Sequence, residues 1–205
     1  MLMVKANPKP TAESYCLRLG QQFCTAYAAA HPETIITELD LYRDHIPLID
    51  SEIMSAWGKL AKREDLTYSE QNKLDRLNEI VEQFMQNDTI VFVAPMWNFG
   101  YPPMMKAYMD AIAIAGKTFK YTVQGPVGLV TGKRAVVLEA RGGLWSEGAG
   151  CQLEHSFSHL RGFLAFLGIT DVTPVFAENL NVDPGRAEEI FAVAARQARQ
   201  LAHHL

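Results

Sequence analysis

The chain predicts an α/β fold in which a five-stranded parallel sheet is doubly wound by helices, with 2-1-3-4-5 as the economical strand order. Three observations lead there. Five strand-like segments alternate with helical ones, and right-handed crossovers between parallel strands then place helices on both faces of the sheet. The run Ile90 to Ala94 is continuously apolar and rich in β-branched and aromatic residues, which suits a central strand covered on both sides. Finally, the 205 residues, 48% hydrophobic, contain no internal repeat and no low-complexity linker, so residues 1–205 are expected to form one domain.

In order along the chain, Leu2 to Ala6 is a short strand that breaks at Asn7 and Pro8. Ala12 to Ala30 carries helical periodicity through Leu17, Leu19, Phe23 and Tyr27. Thr34 to Leu41 alternates apolar and polar residues, as a half-buried strand near a sheet edge does. Tyr42 to Lys62 has no clean period and is expected to be irregular, with a short helix around Ser51 to Lys59, as a lid or an interface element. Thr67 to Asn87 is a long amphipathic helix, with Leu74, Leu77, Ile80, Val81 and Phe84 on one face and a Thr67/Glu70 capping box. The strand Thr89 to Ala94 follows and stops at Pro95. Pro102 and Pro103 can only open a helix, so Met96 to Tyr101 is a loop at a strand's carboxyl end. Met104 to Ala115 is then a helix closed by Gly116, and Phe119 to Val130, with Gly125-Pro126, is a hairpin-like excursion. Arg134 to Ala140 is the fourth strand and ends in Arg141-Gly142-Gly143. Gln152 to Leu167 is a helix stopped by Gly168, Val172 to Ala177 is the last strand, and Asp183-Pro184 caps a final helix from Gly185 to His203.

A net charge of −4 and the absence of any block of five basic residues argue against a nucleic-acid or anionic-membrane surface. No apolar run approaches the ~20 residues needed to span a bilayer. Cys16, Cys24 and Cys151 form an odd, scattered set without a CxxC pair, and no long apolar segment opens the chain. Reduced thiols in the cytoplasm and small-molecule partners are the expectation.

Two loops carry the chemistry. Ligands of open α/β sheets bind at the carboxyl ends of the strands, and there Trp97, Phe99 and Tyr101 offer flat apolar surface beside the Asn98 amide. That suits a planar heteroaromatic ligand, or else the aromatics plug the sheet. The first loop, with Asn7 and Ser14, leads into a helix N-terminus able to meet an anion, or is an ordinary capped helix. Gly142 and Gly143 would let backbone approach a planar ligand and donate N–H groups to it; the alternative is a turn with an exposed Arg141. Neither GxGxxG nor GxxxxGK[ST] is present, so a mononucleotide is favoured over a docked dinucleotide. His155 and His159 lie four apart on the predicted helix without a third ligand, and no GxSxG elbow exists.

The segments PMWNFGYPPMMKAYMD and AGKTFKYTVQGPVGLVTGKRAVVLEARGG resemble the FMN-dependent NADH-azoreductases of the flavodoxin-like superfamily, and the likeness recurs at FLGITDV and in the VKAN opening. It implies a homodimer with tightly bound FMN that takes a hydride from NADH and reduces quinones or azo dyes in ping-pong fashion. It assigns Ser14, Tyr15 and Cys16, with Asn7, to the phosphate; Cys16 stands where the family usually has serine. Pro95, Met96, Trp97, Asn98 and Phe99, with Ala140, Arg141, Gly142 and Gly143, are assigned to the isoalloxazine. Tyr121, with Phe99, falls on the substrate side. No protein acid or base is implied, because the flavin carries the chemistry. The alternatives are a flavodoxin-like electron carrier, a binding module on the same fold, and an NADPH-preferring quinone reductase.

Overall fold

A computed structural model describes all residues, Met1 to Leu205. Its central sheet consists of β1 (Leu2–Lys5), β2 (Thr37–Asp40), β3 (Thr89–Pro95), β6 (Arg134–Ala140) and β7 (Asp171–Ala177), in the order β2-β1-β3-β6-β7. Every pairing is parallel. Numbered within the sheet, this is the predicted 2-1-3-4-5. A separate antiparallel hairpin, β4 (Phe119–Thr122) and β5 (Gly125–Gly128), forms the predicted excursion.

Alternate residues of each central strand feed two cores. Ile90, Phe92 and Ala94, with Ala135 and Val137, face a layer built by α2 (Ser51–Lys62), α3 (Tyr68–Met85), α4 (Pro103–Ile112) and α5 (Phe157–Leu167). Val91 and Val93, with Val136 and Leu138, face α1 (Tyr15–Ala30) and α6 (Ala187–His203). That two-sided burial explains why the β3 sequence does not alternate. No helix is long and apolar enough to cross a membrane.

Several boundaries differ from the sequence reading, each for a local reason. The first helix starts at Tyr15 rather than Ala12, because Ser14 is extended and accepts the Leu17 N–H at 3.3 Å; Thr11–Glu13 form a separate 3-10 turn. The edge strand β2 starts at Thr37, three residues later than expected. The 42–62 segment is more ordered than expected: Asp50 accepts the N–H groups of Glu52 and Ile53, each at 3.0 Å, and α2 runs on to Lys62. The capping box at α3 is present.

Helix α4 ends at Ile112 rather than Ala115, because the Thr118 hydroxyl donates to the Ile112 carbonyl at 2.7 Å and accepts the Ile114 N–H at 2.9 Å. Gly116, at φ +84°, turns the following segment instead of capping the helix. The 152–167 helix is really a 3-10 stretch, Gly148–Leu153, followed by α5; Glu154 interrupts it by collecting the N–H groups of Ser156, Phe157 and Ser158. His155 therefore lies outside the helix that carries His159. Gly168 closes α5 in the left-handed region, at φ +106°, as predicted. Asp183 makes no capping hydrogen bond, and α6 starts at Ala187 after a 3-10 turn.

Candidate functional site

The loops that leave β1, β3, β6 and β7 converge at one end of the sheet and enclose an open cleft of about 220 Å³. Asn7, Ser14, Tyr15, Cys16, Pro95, Met96, Trp97, Ala140, Arg141 and Gly142 all line it. Sequence reasoning assigned these ten to one ligand, and the fold brings them to one cleft. It also adds Lys9, Glu13, Leu180 and Asn181, to which no role had been given. Lys9 and Glu13 lie in the loop already singled out. Leu180 and Asn181 follow β7, and the one signal for them was that β7 ends at the same edge of the sheet.

On the first side, Asn7 organises the loop through Nδ2, which donates to Ser14 Oγ at 2.9 Å and to Cys16 Sγ at 3.3 Å. Its Oδ1 accepts the Lys9 N–H at 3.0 Å. The Tyr15 and Cys16 N–H groups, in the first turn of α1, have no partner in the protein. Cys16 is buried, and burial raises its thiol pKa, so the sulfur sits there as a neutral thiol. An anion in this corner would meet unpaired helix N–H groups, the positive end of the helix dipole and the Lys9 ammonium.

On the second side, the chain after β3 folds back on itself. Trp97 and Gly100 exchange backbone hydrogen bonds at 2.8 and 3.0 Å around Asn98 (φ 48°) and Phe99 (φ 67°). Two consecutive positive φ angles mark a type I′ turn, for which Asn98 is suited and an aromatic is not. Trp97 is 38% exposed on the cleft wall. Asn98 and Phe99 stand beyond the cleft lining, and the Phe99 ring packs edge-on against Trp145 at 5.2 Å. Tyr101, expected to extend the flat aromatic surface, turns back to the sheet instead: its hydroxyl donates to Glu139 Oε2 at 2.8 Å. Burial, with the Glu139 charge beside it, pushes the phenol well above its ordinary pKa.

On the third side, the Gly142 and Gly143 carbonyls accept the N–H groups of Asn181 (2.9 Å) and Asn179 (3.1 Å). The Gly142 and Gly143 N–H groups have no acceptor in the protein. A Cβ on Gly142 would lie 2.6 Å from Asn181 Nδ2, so a side chain here must push the Asn181 amide aside; the constraint is close approach, not a left-handed backbone. Gly143 lies just outside the lining, against Trp145. Arg141 is not an exposed turn residue. Its side chain is fully buried between Glu139, Glu154 and Glu178. Burial raises the Glu139 pKa despite that neighbour.

Tyr121 does not join the cleft within one chain. It is 75% exposed on the β4-β5 hairpin and lines a separate apolar hollow of about 400 Å³ with Trp57, Ala113, Ile114, Ala115 and Phe119.

Comparison with known proteins agrees with this geometry. A family model described as a flavodoxin-like fold matches residues 1–202. The chain is 44% identical to an FMN-dependent NADH:quinone oxidoreductase of Geobacillus kaustophilus, over 99% of this chain and 98% of that one. Among solved structures, it superposes on an azoreductase from Bacillus anthracis with a TM-score of 0.93 and 35% identity, covering 100% of this chain and 98% of the other. An FMN-dependent NADH-azoreductase from the same organism, solved in complex with FMN, matches with a TM-score of 0.91 and 35% identity over 98% of each chain.

Proposed function

The chain belongs to the flavodoxin-like family of FMN-dependent NADH:quinone oxidoreductases, and from that premise we propose that its cleft holds FMN, receives a hydride from NADH and delivers two electrons to quinones or aromatic azo compounds. One observation carries the reading. A helix N-terminus with two unpaired N–H groups, a tryptophan and a glycine loop with free N–H groups share one cleft at the carboxyl end of the sheet.

The residues fit this cofactor part by part. The Tyr15 and Cys16 N–H groups, the Ser14 hydroxyl and Lys9 suit one phosphate. A single such terminus without a glycine fingerprint favours FMN over FAD. Pro95 to Trp97 and Ala140 to Gly142 form the walls for the ring, and the free glycine N–H groups would stabilise negative charge on its polar edge. FMN, when bound, supplies the hydride and electron chemistry. The protein binds, orients and limits water, so no acid-base pair has to be found.

The cleft of about 220 Å³ is smaller than the roughly 300–1,000 Å³ of pockets that enclose a whole ligand. One face of a bound ring would stay open. Nicotinamide and acceptor would use that face in turn, which is the physical basis for ping-pong turnover. A second copy of the chain would cover it, and Tyr121 and the apolar hollow beside it would reach the ring only across such an interface. We take the working unit to be a homodimer of single-domain chains. Three free cysteines suit a reducing cytoplasm.

The test is direct. The purified protein should be yellow, bleach on anaerobic NADH, recover with a quinone, and release FMN on acid extraction. A colourless protein without flavin affinity, or FAD as the main released flavin, overturns the reading.

A further inference from the structure

Hydride transfer does not call for the buried charges that lie beneath the cleft. Arg141 Nε donates to Glu139 Oε1 at 2.8 Å, Nη1 to Glu178 Oε1 at 3.0 Å and Nη2 to Glu154 Oε1 at 3.4 Å. Its Cζ lies 3.6 Å from the centre of the Phe176 ring. The three carboxylates come from three places in the fold, and each holds something else. Glu139, at the end of β6, accepts the Tyr101 hydroxyl at 2.8 Å and the Ser156 hydroxyl at 2.6 Å. Glu178, beyond β7, accepts the N–H groups of Trp145 at 2.9 Å and Ser146 at 3.0 Å. Glu154 gathers the first N–H groups of α5, and the next residue, His155, donates its N–H to the Phe99 carbonyl at 2.8 Å.

A buried cation among carboxylates adds little global stability once its desolvation is counted, so its use lies in fixed placement. We propose that Arg141 is a positioning residue for the cofactor cleft: by gripping Glu139, Glu154 and Glu178 together, its guanidinium sets the spacing of the 96–101, 141–146 and 178–181 loops. The Arg141 and Gly142 carbonyls accept the Leu180 and Asn181 N–H groups at 3.2 and 2.9 Å, so the grip is passed to the cleft lining. The planar fork meets the three acceptors from three separate nitrogens, Nε, Nη1 and Nη2; a lysine ammonium keeps the charge but gathers its donors on one atom and loses that geometry. The inference rests on the FMN reading above.

The experiment compares the wild type with Arg141→Lys and Tyr101→Phe as full-length holoproteins. Serial dilution, read by the fluorescence of released FMN, gives the dissociation constant; the visible spectrum at full loading reports the ring's surroundings; circular dichroism reports folding. Arg141→Lys should weaken FMN binding about tenfold or more and shift the visible band, as expected when a supporting shell loosens by a fraction of an ångström. Tyr101→Phe cuts only the link from Glu139 to the 96–101 loop and should weaken binding by about threefold, a smaller loss of the same kind. A folded Arg141→Lys protein with wild-type affinity and spectrum overturns the proposal. If that variant does not fold, Tyr101→Phe and Glu178→Gln decide, and wild-type values in both overturn it equally. A wild type that holds no FMN overturns the functional reading instead.

Discussion

Phe99 holds a backbone conformation that costs an L-residue about 1–2 kcal/mol, and its ring contact with Trp145 returns about 0.5–1.5 kcal/mol. The two nearly cancel. Phe99→Gly should therefore leave the free energy of unfolding within about 1 kcal/mol of wild type while lowering NADH-driven turnover, because it removes the ring that packs against Trp145 beside the cleft. Chemical denaturation beside steady-state kinetics checks this, and a stability loss above about 2 kcal/mol would show that the turn is unstrained. Gly142 gives the complementary case. Gly142→Val should lower the flavin content, because its side chain displaces the Asn181 amide into the cleft it lines, whereas His155→Gln and His159→Gln should leave flavin content unchanged. Flavin per mole of purified protein decides, and loss in the histidine variants with retention in Gly142→Val would move the site elsewhere.

Among the elements, α2 and α3 show how a segment without clear periodicity becomes ordered. Glu70 closes the α3 capping box by accepting the Thr67 N–H at 2.7 Å, and also accepts from Lys59 at 2.8 Å and Ser55 at 2.8 Å on α2. The Lys59 ammonium, followed by the Thr67 N–H and the Ser55 hydroxyl, brings its carboxyl pKa down to about 2. A depressed carboxyl stabilises the fold above its unfolded value, near 4.5, and this stabilisation is lost as pH falls toward 2. Glu70→Gln should thus lower the melting temperature at neutral pH and flatten its fall between those two values. An identical acid limb in wild type and variant would show that the α2-α3 contact does not depend on this charge.

For the whole molecule, the open cleft and the apolar hollow around Trp57 and Tyr121 both ask for a cover. Sedimentation at working concentration should give a two-fold dimer. Trp97→Ala should reduce both flavin retention and the rate of flavin reduction in a single turnover, since it strips stacking area from the ring. A fully active monomer, or a Trp97→Ala protein reduced at the wild-type rate, would remove the case for a site completed by a partner.

The five strands, the two helical layers and the end of the sheet that carries the cleft were legible in the sequence, because they follow from local causes: a continuous apolar run, prolines that end strands and open helices, and the rule that strand carboxyl ends carry ligands; the strand order came as the economical flavodoxin-like choice. Ten of the cleft residues lie in loops marked out in this way, and the family resemblance assigned most of them to the ligand. What lay beyond the sequence depended on partners distant along the chain. Nothing near Arg141 announces that Glu154 and Glu178 will bury it, nothing near Tyr101 that it will bond to Glu139, and nothing near Gly142 that Asn181 will crowd it. Helix ends failed for the same reason: Thr118 shortens α4 and Glu154 delays α5 through side-chain hydrogen bonds that compete with the backbone ladder. Periodicity determines which face of an element is buried, but only the assembled fold decides which polar group meets which, since that choice is made across the sheet and not along it.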